Sequence, residues 1–209
     1  MNIPIVFEDE WLLVLNKPSG LLTVPTPKME SRTLSSILND DLKERGIAYR
    51  LYPCHRLDRE TSGLIIYAKG KSIQKKMMDE FRGKTIKKTY IAFLRESPPK
   101  DKGRIVCPIE GQNALTEYRV IEKRKGFSVA EAMPLTGRTN QIRIHFKQIG
   151  HPLIGESKFA FRRDFKIKAK RAMLHAKKLE FIHPVTRKLL SLKSPLPTDM
   201  LDFLKRHEN

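Results

Sequence analysis

Two short segments concentrate side chains that can do chemistry. The first is Pro53-Cys54-His55-Arg56-Leu57-Asp58-Arg59-Glu60-Thr61-Ser62-Gly63. It sets a histidine, two arginines and two carboxylates between a proline and an apolar run, as in a reactive loop positioned by a rigid strand. Asp58, flanked by Arg56 and Arg59, is a carboxylate whose ionised form neighbouring positive charge favours. A structural ion-pair cluster at a turn, with Thr61 and Ser62 satisfying backbone groups, fits the same residues. The second segment is Thr136-Gly137-Arg138-Thr139-Asn140-Gln141-Ile142-Arg143-Ile144-His145-Phe146. Helical spacing puts Thr139 and Arg143 on one face, with Ile142 and Phe146 on the opposite, buried one. Arg143 is then a planar fork suited to a carboxylate or phosphate, or a routine surface arginine.

Other candidates are fewer. Tyr90 follows Lys87-Lys88 on an expected strand, where a tyrosine packs in a sheet or offers a stacking surface. The six histidines show no HxH, HExxH or H-x3-H spacing, and the two cysteines, Cys54 and Cys107, form no CxxC. These patterns argue against a metal site and against a disulfide scaffold. With no GxGxxG and no GxxxxGK[ST], neither a dinucleotide nor a nucleoside triphosphate is implied.

The elements that must position these residues follow from periodicity. Ile5–Phe7, Trp11–Asn16 and Leu64–Ala68 read as strands. Thr33 reads as the N-cap of a helix carrying Leu34, Ile37, Leu38 and Leu42 and closed by Gly46. Ile73, Met77 and Phe81 recur at i, i+4, i+8, predicting a helix from Ser72 to Gly83. Strands are then expected at Tyr90–Leu94, Arg104–Cys107, Thr116–Ile121 and Ser128–Pro134. A helix ends at Gly150, strands follow at Met173–Ile182 and Leu189–Leu192, and a short helix follows Thr198. Many strands with few interspersed helices predict an α+β fold with a mostly antiparallel or mixed sheet flanked by helices.

Composition bounds the function. The 209 residues carry 41 Lys plus Arg against 23 Asp plus Glu, a net charge of +18. That excess suits a polyanionic partner, nucleic acid before an anionic membrane surface. Basic residues gather in Lys69–Lys88 and in Arg162–Lys178, two candidate phosphate-tracking surfaces. At 40% hydrophobic the chain can build a core, and its apolar runs fall far short of the ~20 residues a membrane span needs. The acidic start and the sparse cysteines predict a cytoplasmic protein.

Taken together, the segments resemble the RluA family of RNA pseudouridine synthases. HRLDRETSG at 55–63 resembles the family's HRLDxxTSG signature, and GRTNQIRIH at 137–145 resembles its GRxHQIRxH motif. Lys88-Thr89-Tyr90 resembles the K-x-Y strand, Asn16-Lys17-Pro18-Ser19-Gly20 the opening NKPxG, and Leu174-His175-Ala176 through His183-Pro184 the closing LHAxxLxFxHP. The order matches too, over roughly residues 3–195. The resemblance implies that Asp58 is the catalytic residue, that Arg143 pairs with it, and that Tyr90 packs on the target base. It gives Arg56 the task of filling the vacated base stack, and His55 and Arg138 join it in substrate binding. It implies a single catalytic domain over 1–209 without a separate N-terminal RNA-binding module, acting as a monomer on tRNA or rRNA. No cofactor, no metal, no nucleotide and no membrane is implied. One departure is plain: Asn140 stands where the family usually has His.

Two rivals from other classes fit the basic surface. A non-catalytic RNA-binding protein has no need of Asp58, and a metal-dependent nuclease requires clustered carboxylates. A protein-kinase catalytic loop does not fit His55-Arg56-Leu57-Asp58, because Leu57 interrupts the motif, position 63 is Gly, and there is no DFG.

Overall fold

A tight reversal opens the chain: Asp9 Oδ1 accepts the backbone N–H groups of Trp11 and Leu12, each at 2.8 Å. This Asx-type turn joins strand β1 (Ile5–Glu8) to β2 (Leu12–Lys17). The computed structural model describes residues 3–27, 30–160 and 167–208, which fall into two compact units. The first runs to Ile86 and takes in Lys178–Ser194; the second comprises Lys87–Lys177 and Pro195 onward.

In the first unit β2 pairs antiparallel with β4 (Ser62–Lys69), in register from Leu12 opposite Ala68 to Lys17 opposite Gly63. Residues 62–68 of β4 are all buried, which is why Gly63-Leu64-Ile65-Ile66-Tyr67-Ala68 reads as an unbroken apolar run rather than an alternation. Helix α1 (Leu34–Glu44) starts at a capping box in which Thr33 and Ser36 satisfy each other's backbone N–H. From α1, the Asn39 amide bonds both the N–H and the C=O of Leu51, and β3 (Leu51–Pro53) then pairs with β4. Helix α2 (Lys71–Arg82) buries Met77 and packs Ile73 and Phe81 on a core of Leu12, Val14, Leu64, Ile66, Leu179 and Phe181. The last two come from β9 (Leu174–Ile182), whose end pairs with β10 (Leu189–Lys193).

In the second unit β5 (Lys87–Arg95) lies beside β8 (Phe127–Pro134), then β7 (Leu115–Arg124), then β6 (Lys102–Val106), all antiparallel. Gly126, at φ +81°, makes the two-residue connection between β7 and β8 possible. Helix α3 (Gln141–Gln148) follows β8, and α4 (Thr198–Arg206) packs Met200 and Phe203 on this unit's core. Phe93, Phe127 and Phe203 form its centre, with ring centroids 5.2–6.1 Å apart. The strands and helices expected from periodicity are present within about three residues, and the fold class is α+β as expected. Strand β3 was not anticipated. Among the described residues no helix is long and apolar enough to cross a membrane.

Candidate active site

Asp58 sits on the loop between β3 and β4, and its backbone is fixed on both sides by residues 17–23. Thr23 Oγ1 accepts the Leu57 N–H at 3.1 Å and donates to the Leu57 carbonyl at 3.0 Å. The Arg59 carbonyl accepts the Gly20 N–H at 2.7 Å and Lys17 Nζ at 3.3 Å. Lys17 is fully buried, and its ammonium also donates to the carbonyls of Leu21 (2.6 Å) and Pro18 (2.8 Å). A buried ammonium is tolerated only when its protons are bonded; here they tie the turn after β2 to the loop carrying Asp58. Gly20, at φ +85°, gives the backbone the left-handed turn that carries its N–H there. The Asn16–Gly20 and His55–Gly63 motifs are therefore one mechanical assembly.

The remaining polar side chains of this loop divide. His55 is half-buried; its Nε2 accepts the Ile66 N–H of β4 at 3.1 Å, and its ring lies 5.0 Å from that of Phe81. It anchors the loop to the strand. Arg56 is exposed. Arg59 pairs with Glu30 at 3.2 Å. Hydrogen bonds from Thr26, the backbone N–H above all, hold the half-buried Glu30 carboxyl below its ordinary range. Cys54 is buried, and burial pushes its thiol up to about 12.

In the second unit the helix begins later than spacing implies. Asn140 is the N-cap residue in the left-handed region (φ 54°), so Thr139 lies outside α3 and shares no helix face with Arg143. Asn is among the few non-glycine residues enriched in that conformation. Arg143 is buried rather than on the surface. Its Nε and Nη2 donate to the two oxygens of Glu156, each at 2.7 Å, and its Nη1 donates to Asn140 Oδ1 at 3.2 Å. Its guanidinium carbon lies 5.3 Å from the Phe159 ring centroid. Glu156 is itself fully buried and accepts the N–H groups of Lys158 and Phe159. Burial alone would raise its pKa, but the Arg143 bonds and charge and these two N–H groups outweigh that and hold it low.

Gln141 and His145 fasten α3 to β7. The Gln141 amide donates to the Leu115 carbonyl (2.9 Å) and Thr116 Oγ1 (3.0 Å), and its oxygen accepts from Thr136 and the Arg138 N–H. His145 contacts Cys107 O through Nε2 (3.0 Å) and Thr116 Oγ1 through Nδ1 (2.9 Å), a pattern fitting a neutral ring protonated at Nε2. Burial holds its pKa below the ordinary value, only partly offset by the Cys107 carbonyl. Arg138 is exposed, with Nε on the Asn113 carbonyl at 3.1 Å.

Tyr90 lies buried on β5, opposite Ala132 of β8, which also faces Tyr118 of β7. Lys88, two residues before Tyr90, projects to the same side, and burial holds its ammonium below the usual lysine value.

Of the basic stretches, Lys71, Lys75, Lys76, Lys84 and Lys87 are exposed. In the second stretch, Arg162, Arg163 and Lys166 lie outside the described residues. Arg171 is buried against Asp199 and the Ala172 and Leu174 carbonyls, so it braces the fold instead of meeting solvent. Sequence reasoning missed Glu156. Its signal is the Gly155-Glu156 pair: Gly155 is at φ +78°, and a Cβ there would collide with the Arg171 carbonyl.

Comparison with known proteins agrees with the motif resemblance. Residues 11–148 match the family described as RNA pseudouridylate synthase. The uncharacterized RNA pseudouridine synthase YlyB of Bacillus subtilis is 34% identical over 98% of this chain and 73% of its own length. The dual-specificity RNA pseudouridine synthase RluA of Vibrio cholerae is 32% identical over 92% of this chain and 82% of its own. The solved human RNA pseudouridylate synthase domain containing 4 superposes with a TM-score of 0.81 at 24% identity, covering 97% of this chain and 92% of that one. A second human structure, domain containing 1, has a TM-score of 0.73 at 26% identity, covering 93% and 83%.

The chain belongs to the RluA family of RNA pseudouridine synthases. It is thus an isomerase that acts on RNA without a cofactor.

Proposed function

We propose that this enzyme isomerises specific uridines of tRNA or large-subunit rRNA to pseudouridine, with Asp58 as its one catalytic carboxylate. The observation carrying the reading is the immobilised loop: Lys17, Gly20 and Thr23 bond the backbone of Leu57 and Arg59 on either side of Asp58. A single reactive group must be held this rigidly, because misplacement by about 1 Å costs about 100-fold in rate. The large-subunit substrate is supported by similarity to the ribosomal large subunit pseudouridine synthase D of Nitrosomonas europaea, 32% identical over 99% of this chain and 66% of its own length.

A uridine stacked in folded RNA must first leave the stack, at a cost of a few kcal/mol, least where it is already looped. Exposed Arg56 takes the vacated place, and Arg138 with Lys71, Lys75 and Lys76 meets phosphates. In the reaction the C1′–N1 bond breaks, uracil rotates, and a C1′–C5 bond forms; C5 loses its proton and N1 gains one. Asp58 acts ionised in this scheme, Arg143 holds its carboxylate in one rotamer, and Tyr90 keeps the detached uracil stacked. His55 serves by anchoring the loop. The whole chain works as one catalytic domain and a monomer, in the cytoplasm.

The test is a map of carbodiimide-induced reverse-transcription stops in RNA from cells with and without the protein. At least one stop disappears with the protein and returns with the wild-type chain but not with Asp58→Asn. Identical maps, or rescue by Asp58→Asn, overturn the proposal.

A further inference from the structure

We infer that Glu156 is a positioning residue of the active site, acting through Arg143. The inference rests on the role given to Arg143 under the proposed function and adds what holds that guanidinium. An arginine side chain has several rotatable bonds, and a buried one needs both a counter-charge and a fixed plane to aim its donors. Glu156 supplies both. Its two oxygens meet Nε and Nη2 at 2.7 Å each, the parallel fork geometry that fixes orientation as well as charge.

The carboxylate is fixed in turn. Its Oε1 accepts the N–H of Lys158 at 2.8 Å and of Phe159 at 3.2 Å, so the loop after it closes on its own side chain. That closure seats the Phe159 ring by the guanidinium. Gly155 allows the preceding backbone to pass against the Arg171 carbonyl, where any side chain would collide. Asn140 Oδ1 bonds Nη1 from the helix N-terminus. The guanidinium is thus gripped from a loop thirteen residues away and from its own helix start. Glu156 is fully buried; its role is to set where Arg143 points, not to touch RNA.

The experiment measures kcat and KM of the full-length protein by tritium release from RNA carrying [5-³H]uridine, for Glu156→Gln, Arg143→Lys and the double variant, with thermal melts alongside. Glu156→Gln keeps shape and removes charge. It is expected to lower kcat about 30-fold with KM within about threefold, because orientation fails while RNA contacts remain. The double variant is expected within about threefold of Arg143→Lys, since residues acting through one another are not additive. Wild-type kcat in folded Glu156→Gln, or losses that multiply in the double variant, overturns the inference. Should Glu156→Gln fail to fold, Glu156→Asp decides: it keeps charge but is one methylene shorter, which draws the carboxylate back from Nε and Nη2. A loss of about fivefold in kcat, absent when Arg143 is already Lys, supports the role, and an unchanged kcat refutes it. If Arg143→Lys alone keeps wild-type kcat, the role given to Arg143 falls and this inference with it, whereas wild-type kcat in Glu156→Gln beside a crippled Arg143→Lys removes only the inference.

Discussion

Replacing Thr23 by valine tests whether the loop carrying Asp58 is held as the structure implies. Valine keeps the shape of threonine and deletes one hydroxyl. That hydroxyl accepts from the Leu57 N–H at 3.1 Å and donates to the Leu57 carbonyl at 3.0 Å, both inside the protein. Each buried group left unbonded costs about 1–3 kcal/mol, so together the change destabilises by about 3 kcal/mol. For a chain of 209 residues each kcal/mol lowers Tm by about 2–4 °C, giving a drop of about 6–12 °C. The loop shifts as Leu57 seeks new partners, and kcat falls about 10- to 100-fold. Thr23→Ser keeps the hydroxyl and loses one methyl, worth about 0.8 kcal/mol, with kcat within about threefold. Tritium release and differential scanning fluorimetry read both quantities. A Thr23→Val protein that melts with the wild type and turns over at its rate refutes the clamp.

Other outcomes follow from burial and backbone conformation. Asn140→His should keep kcat within a few-fold, since histidine tolerates the left-handed region and offers an acceptor to Arg143. Asn140→Val should lose about 1–3 kcal/mol, because branched side chains are strained there; urea melts of both variants check this. Iodoacetamide at pH 8 should label Cys107 and spare Cys54, whose buried thiol is pushed up to about 12; labelling of Cys54 in the folded protein contradicts the packing. Stability should fall with acid in two stages. His145 titrates below its ordinary value when folded, so the unfolded chain takes up the proton first and stability declines as pH drops below about 6.5. Glu156 and Asp199 are held low by arginine bonds that outweigh their burial, so their contribution is present above the ordinary carboxylate range and disappears as pH falls through their folded values. Urea midpoints from pH 8 to pH 3 follow both stages, and His145→Gln should erase the first.

Much of the frame was legible because local signals and tertiary packing agree. Ile73, Met77 and Phe81 marked the inner face of α2, and Thr33 capped α1 as its spacing predicts. Strand β3 was not legible: three residues ending in proline carry no periodicity, and its start is bonded by Asn39, twelve residues earlier. The site divides the same way. Motif resemblance singled out Asp58, Tyr90 and Arg143, yet spacing put Arg143 on a helix face with Thr139. The left-handed turn at Asn140 starts the helix later, and Glu156, far along the chain, draws the arginine inside. Likewise Asn16-Lys17-Pro18-Ser19-Gly20 reads as a turn, and only the fold shows its lysine bonded to the Asp58 loop. Interactions that close over long loops leave no periodic trace.

The claim underlying all of this is that one carboxylate makes and breaks the glycosidic bond. Purified wild-type and Asp58→Asn proteins, matched for Tm and RNA affinity, should be compared on RNA carrying [5-³H]uridine. Asparagine preserves size and removes the charge, so the account predicts tritium release from the wild type and none above background from the variant. Release by Asp58→Asn at the wild-type rate would contradict it.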